Sequence, residues 1–182
     1  MDISIYKNRR ENLLELLPDN SVLLIPGAEI QYRNSDSSFP FRQESNFYYL
    51  SGFCEPASLL AVTKKDNQIT SLIFVPPKDK LKEIWDGYRA GPLGAVENFL
   101  FDKAYDNTQI DEMLPDILFG SDVVLYPIGK KNGFDQKVID WTSEASKKDR
   151  HSKSINISDA TSIIGNARLI KDDHEISLIK KA

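Results

Sequence analysis

Apolar positions along this chain fall into two rhythms, and each predicts a different kind of element. From residue 3 to Leu17, Ile5, Arg9, Leu13, Leu16 and Leu17 recur at helical spacing, and Pro18-Asp19-Asn20 stops the helix. Four short runs then read as strands that are apolar on both faces: Val22-Leu23-Leu24-Ile25, Leu59-Leu60-Ala61-Val62, Leu72-Ile73-Phe74-Val75 and Val123-Val124-Leu125-Tyr126. Strands with no polar face belong in the middle of a sheet covered by helices. Lys64-Lys65-Asp66-Asn67, between the second and third runs, is a polar turn of hairpin length, so those two strands are expected to run antiparallel in a mixed sheet. Residues 94–101, 109–118 and 134–147 carry helical periodicity, the second ending before Gly120 and the third polar on its outer face. Phe47-Tyr48-Tyr49-Leu50 reads as an aromatic-rich strand closed by a Ser51-Gly52 turn, because aromatic residues favour pleated surfaces and glycine supplies a positive φ. These elements together predict an α/β fold, a three-layer α/β/α sandwich around a mixed sheet. No internal repeat interrupts it, and the most loop-like stretches, 34–38 and 149–154, are short and polar.

The final stretch behaves differently. Asp172-Asp173 opens a helix with Ile176 and Ile179 in an apolar stripe, running on to Lys180-Lys181-Ala182 without a glycine stop. A helix of about ten residues is marginal alone. Leaving two isoleucines exposed forfeits roughly 1.5–3 kcal/mol each relative to burying them. The expectation is one domain over 1–165, then 166–182 as a linker and the first helix of a further, missing domain.

Composition narrows the classes. With 182 residues and 41% hydrophobic content, the chain is long enough for one core and little more. The net charge of −4, with cations scattered among acids, leaves no basic face for phosphates, so no nucleic-acid partner is expected. Uninterrupted hydrophobic runs stop at four residues, against the ~20 a membrane span needs, so no membrane partner is expected either. The start, MDISIYKNRRENLL, is charged from its second residue and lacks the apolar centre of a signal peptide. One cysteine, Cys54, excludes an internal disulfide framework and suits a reducing, cytoplasmic location.

Candidate chemistry is sparse. A hydrolytic dinuclear metal site needs several converging carboxylates and usually a histidine. His151 sits in a polar run read as a solvated loop, and the neighbours of His174 are splayed by about 100° each on a helix, which reads as acids decorating a helix N-terminus. No serine occupies a Gly-x-Ser-x-Gly elbow, and Cys54, without a nearby histidine in sequence, reads as a small buried thiol. Gly87, Gly91 and Gly94 match neither the dinucleotide fingerprint nor the P-loop and read as turn glycines around Pro92, while Glu83, Asp86 and Arg89 are spaced for local ion pairs.

Residues 40–56, PFRQESNFYYLSGFCEP, hold the strongest motif. Pro40-Phe41-Arg42-Gln43, Ser45, Phe47, Tyr49-Leu50, Gly52-Phe53 and Glu55-Pro56 resemble the N-terminal domain of aminopeptidase P, the Xaa-Pro aminopeptidase. Glu83-Ile84-Trp85, Gly87, Arg89 and Gly91 are similar to that family's second recurring element. Arg168, Ile170-Lys171, Glu175-Ile176, Ile179 and Ala182 resemble the first helix of the catalytic domain that follows in the family.

The resemblance implies a ribonuclease-H-like sandwich serving a manganese-dependent metalloaminopeptidase that removes the N-terminal residue preceding proline. In the family two aspartates, a histidine and two glutamates hold two manganese ions in a C-terminal pita-bread domain, and none of those positions occurs here. The resemblance therefore implies no catalytic or metal-binding residue and no cofactor in this stretch. It implies instead that Trp85 helps wall the active site, reaching it from a neighbouring subunit, and that Arg42 and Arg89 are structural or interfacial. The implied partners are peptides with proline in second position and further copies of the chain, in a homo-oligomer. The domain would shape access to the active site and supply oligomer contacts. The alternative is a non-catalytic peptide- or protein-binding module of a pita-bread pseudoenzyme. Prolidase and creatinase share the architecture, but the match over residues 40–56 favours aminopeptidase P.

Overall fold

The computed structural model of the protein describes residues 2–149 and 153–181, except the side chains of Lys82, Trp85 and Asp86. His151 lies outside the described residues. The chain opens with α1 (Ser4–Glu11), continued by a 3-10 turn over Asn12–Glu15, and enters β1 (Ser21–Pro26). A long loop leads to α2 (Ser45–Ser51), then β2 (Leu59–Lys65), β3 (Gln68–Val75), α3 (Lys80–Asp86), α4 (Gly91–Phe99) and β4 (Lys103–Asp106). The second half alternates as α5 (Ile110–Leu118), β5 (Val123–Tyr126), α6 (Phe134–Lys147), β6 (Asn156–Asp159), α7 (Thr161–Ala167) and α8 (Asp173–Lys181).

Among the described residues the strands form one six-stranded sheet in the order β4-β3-β2-β1-β5-β6. The four apolar runs occupy its middle, where both faces are covered. β1, β2 and β3 pair antiparallel, with Leu24 opposite Ala61 and Leu60 opposite Ile73, while β4, β5 and β6 join in parallel. The expected hairpin and mixed sheet are both present. Alternation along each strand divides the core in two. Leu23, Ile25, Leu60, Val62 and Ile73 pack under residues of α2, α4 and α7 such as Phe47, Ala95 and Ile164. Val22, Leu24, Ala61, Leu72 and Phe74 pack under α5 and α6 through Leu114, Leu118, Val138 and Trp141. The α/β/α sandwich is thus the observed architecture. No helix among the described residues is long and apolar enough to cross a membrane.

Residues 47–50 are helical, not extended as the aromatic pattern suggests. The Glu44 carboxylate accepts the Phe47 N–H at 2.7 Å as an N-cap, and Gly52, at φ 64°, closes the other end by donating its N–H to Tyr48. With both ends capped, Phe47 and Leu50 share the face buried against the sheet. Strand preference of aromatic residues reflects packing context more than backbone bias, and here the context is a helix. Gly94 also departs from its reading as a turn residue. It lies inside α4, where an added Cβ would stand 3.1 Å from the Ala90 Cβ. Cys54, expected as a buried thiol, is exposed.

The N-terminal helix follows the expected period with a different stripe: Tyr6, Arg9, Arg10, Leu13 and Leu17 are buried, while Leu16 is exposed. Two of the buried positions are arginines, and Arg10 is the largest fully buried side chain of the domain.

Candidate functional site

The signature residues 40–56 are consumed largely in building a knot. The Gln43 side chain accepts the backbone N–H of Ala28 at 2.7 Å and of Glu44 at 2.9 Å, and it donates to the carbonyls of Phe53 and Glu55. One amide thereby ties the loop after β1 to the start of α2 and the segment beyond it. Gly27 must come close for this: a Cβ there would stand 2.9 Å from the Ser58 carbonyl and 3.2 Å from Gln43 Oε1. Gly52 is pressed in the same way against the Tyr6 ring, only 2.6 Å from where its Cβ would be. Ser51 Oγ accepts the Phe53 N–H and completes the turn.

Glu55 carries the knot to the second family element. Its Oε1 accepts the Ala90 N–H at 2.7 Å, fixing the junction between α3 and α4, while its Oε2 is buried without a hydrogen-bond partner among the described residues. Burial pushes the Glu55 carboxyl above its ordinary value, against the lowering effect of the Ala90 N–H and of Arg89. Glu83 Oε1 accepts the Arg89 N–H at 3.0 Å, and Gly91 turns at φ 63° where a Cβ would press on Lys78. The contact between Glu83 and Arg89 is this backbone hydrogen bond, where the spacing suggested a side-chain ion pair. The side chain of Asp86 lies outside the described residues.

The segment so anchored presents apolar side chains to solvent. Leu81, Ile84, Tyr88 and Leu93 are each at least 70% exposed. Leu81 and Ile84 lie three apart and share one face of α3. Single exposed hydrophobes are ordinary, but four in one short stretch make a candidate surface for contact with another chain. Trp85, singled out in the sequence, is a residue of this helix; its side chain lies outside the described residues. The geometry therefore offers an apolar presenting surface held at its base by Glu55.

A second cluster joins the knot to the tail. Arg9 Nε and Nη2 donate to Asp172 Oδ2 at 3.0 and 2.7 Å, Nη1 donates to the Tyr49 carbonyl, and the guanidinium lies 4.2 Å from the Tyr49 ring centroid. Burial would raise the Asp172 carboxyl, but the Glu175 N–H and Arg9 outweigh it and hold it below its usual value. Asp172 and Glu175 cap α8 reciprocally: Asp172 Oδ1 accepts the Glu175 N–H, and Glu175 Oε2 accepts the Asp172 N–H. Tyr49 Oη donates to Ala167, and Arg168 bonds Asn46. A groove of about 500 Å³ remains here, bordered by Tyr48, Cys54 and His174. His174 Nε2 is buried without a partner among the described residues, and partial desolvation at the groove wall pushes the exposed Cys54 thiol up, away from the reactive thiolate. Leu169, Ile170, Leu178 and Ile179 stay exposed along this tail.

Among the described residues no group of three or more His, Cys, Asp or Glu is placed to hold a metal ion. The described residues therefore do not fit the two-manganese site that the family resemblance implies for the enzyme. What the arrangement can do is bind and position. Sequence reasoning missed the Gln43 hub and the Arg9 contacts. The signal for Arg9 was its place on the apolar stripe of α1, where a charge must find partners.

The sequence model described as aminopeptidase P, N-terminal domain, matches residues 6–126. The chain is similar to the Xaa-Pro aminopeptidase of Escherichia coli, 31% identical over 180 residues, covering 97% of this chain and 41% of that protein. It is similar as well to the intermediate cleaving peptidase 55 of Saccharomyces cerevisiae, 28% identical over 187 residues, covering 97% of this chain and 37% of that one. Among solved structures, an Escherichia coli aminopeptidase P variant superposes with a TM-score of 0.93 at 30% identity, over all of this chain and 42% of the other. Proline aminopeptidase P II from Yersinia pestis gives 0.89 at 31% identity, with the same coverage. The chain spans about two-fifths of the length of the curated relatives it matches.

Proposed function

The chain belongs to the aminopeptidase P N-terminal domain family, and from that premise we propose that it is the accessory domain of a cytoplasmic, manganese-dependent Xaa-Pro aminopeptidase. The enzyme removes the N-terminal residue preceding proline. Its chemistry resides in a C-terminal domain, and no catalytic step runs through residues 1–165. Residues 166–182 are the linker to that domain and its first helix. The accessory domain narrows the approach to the active site and provides contacts between subunits of a homo-oligomer. Trp85 walls the substrate pocket of a neighbouring subunit.

The observation that supports this reading is the α3 surface. A helix that exposes Leu81 and Ile84, followed by a loop that exposes Tyr88 and is pinned through Glu55 to Ala90, suits a rigid edge presented to another chain. The substrate makes such an edge useful. A bond to proline has no N–H to recognise, so selection falls on ring shape and the free amine, and a wall that excludes longer extended segments sharpens it.

The test is Trp85→Ala in the full-length enzyme, assayed on Xaa-Pro tripeptides and longer peptides with manganese present. We expect kcat/KM for tripeptides to fall roughly tenfold or more, as when an apolar pocket loses a large contact, with the subunit assembly retained. Unchanged kcat/KM for both peptide classes would refute the wall. Absence of any release of the residue before proline would refute the peptidase assignment.

A further inference from the structure

β1 and β5 are adjacent and parallel, but the chain leaves their carboxyl ends in opposite directions. After β1 it reaches α2, whose Phe47 and Leu50 pack on one face of the sheet; after β5 it reaches α6, whose Phe134 and Val138 pack on the other. Two neighbouring parallel strands whose connections diverge leave a crevice outside their carboxyl ends, and open α/β sheets use such crevices for ligands. Here the crevice is a groove of about 850 Å³, within the range of small-molecule sites. Its floor is the end of β1, from Ile25 to Ala28, and Pro127 closes the β5 side.

Charge within the groove is uneven. Of the acids that line it, Glu29 is paired with Lys131 at 2.8 Å, and Glu44 is engaged as the N-cap of α2. Arg42 and Lys130 also line the groove, one on the loop after β1 and one on the loop after β5. Neither side chain has a hydrogen-bond or ion-pair partner among the described residues. The nearby carboxylates of Asp135 and Asp159 accept the backbone N–H groups of Gly129 and Ile128. The Thr161 hydroxyl chiefly, with Lys130 a smaller contributor, holds Asp159 below its usual value, so Lys130 faces that carboxylate as well as the groove. The guanidinium is the side chain best shaped to grip a planar or tetrahedral oxyanion.

We propose that this groove binds a small organic anion, a phosphomonoester or carboxylate, with its oxyanion on Arg42 and Lys130 and its uncharged body along Pro26 and Ala28. The site lies apart from the α3 surface and stands independently of the peptidase reading.

The experiment is a nuclear magnetic resonance titration of the ¹⁵N-labelled chain with phenyl phosphate, benzoate and inorganic phosphate in separate arms. Saturable shifts at Ala28, Ser45, Lys130 and the Arg42 side-chain N–H are expected with phenyl phosphate or benzoate, and the stronger arm names the oxyanion. Arg42→Ala should weaken binding roughly tenfold to a hundredfold, the worth of a charge-assisted hydrogen bond, and Arg42→Lys should restore part of it. Arg42 is exposed, and an otherwise unchanged spectrum of Arg42→Ala verifies that the variant is folded. Shifts that do not saturate, that persist in Arg42→Ala, or that arise only with inorganic phosphate would overturn the proposal. Failure here leaves peptide cleavage by the full-length enzyme unaffected, so the two readings fail separately.

Discussion

Replacing Arg10 by methionine tests whether a buried cation can serve as a clamp with no carboxylate hydrogen-bonded to it among the described residues. Arg10 is 1% exposed; its Nη1 donates to the Leu50 carbonyl at 2.9 Å, and its Nη2 donates to Phe99 at 3.1 Å and Leu100 at 2.6 Å. Leu50 lies in the last turn of α2, and Phe99 and Leu100 close α4, so one guanidinium satisfies orphan carbonyls at two helix ends, where a positive charge is also favoured by the dipoles. Its guanidinium lies over Phe101, 4.1 Å from the ring centroid. Burial pushes its pKa down to about 10, against the raising effect of Asp102 and Glu11. That displacement means about 3 kcal/mol of lost preference for the charged form.

Hydrogen bonds from a charged donor contribute about 1.5–3 kcal/mol each. The three together exceed the burial cost, and a net contribution of about 2–5 kcal/mol follows, in line with breaking one side of a buried polar contact. Methionine keeps an apolar side chain at this buried position but orphans all three carbonyls. In urea unfolding followed by far-ultraviolet circular dichroism, the midpoint should fall by about 1–2 M at a typical slope of ~2 kcal/mol/M. Arg10→Lys, with one compact charge, should fall between wild type and Arg10→Met. A midpoint shift below about 0.5 M at unchanged slope would show that water satisfies these carbonyls and that the clamp contributes little.

Glu55→Gln should keep the Ala90 hydrogen bond while removing a carboxyl that burial disfavours in its charged form. Because the folded pKa lies above the ordinary 4.5, the native state holds the extra proton between the two values, and the wild type loses stability as pH rises through the folded value. The difference in urea midpoint between Glu55→Gln and wild type should grow in favour of the variant from pH 4.5 upward and then level off; a difference that stays constant with pH contradicts the burial argument. Gly52→Ala must force a Cβ to within 2.6 Å of the Tyr6 ring at φ 64°. The left-handed backbone alone costs about 1–2 kcal/mol, and the ring displacement should bring the total to about 2–4 kcal/mol. At roughly 2–4 °C per kcal/mol for a chain of this size, the melting temperature should drop by at least about 5 °C, and a smaller drop would mean that Tyr6 moves aside freely.

The parts of the fold that were legible in the sequence are those whose residues answer to one demand at a time. The middle strands are apolar on both faces because helices cover both, so Val22 to Ile25 and Leu72 to Val75 could be read without tertiary information. β4 and β6 could not. Each is a four-residue edge strand with little or no buried apolar surface, KAYD and NISD, whose pairing is set by neighbours distant in sequence. Helix α2 was misread because six of its seven residues are aromatic, leucine or serine, while the deciding signals were its caps, Glu44 and Gly52. Of the candidate site, the two motifs were visible as strings, but the Glu55 to Ala90 contact that joins them spans 35 residues and exists only once the sheet is formed.

That contact changes what the motif around Glu55 can be held responsible for. A string this dense in aromatic and polar residues invites a catalytic reading, yet Gln43, Glu44, Ser51, Gly52 and Glu55 are all occupied in fixing backbone at short range. Polar side chains that satisfy buried backbone groups are not available to a substrate, because withdrawing one would expose the unpaired partner to its full desolvation cost. Arg42 differs: it belongs to the same string, is exposed, and borders both grooves that flank the knot. Functional weight in this domain therefore falls on what the knot holds outward, the α3 surface on one side and the Arg42 groove on the other. Ser51, Gly52 and Glu55, which line neither groove, can affect either surface only by moving the backbone that presents it, whereas Gln43 and Glu44 line the Arg42 groove themselves.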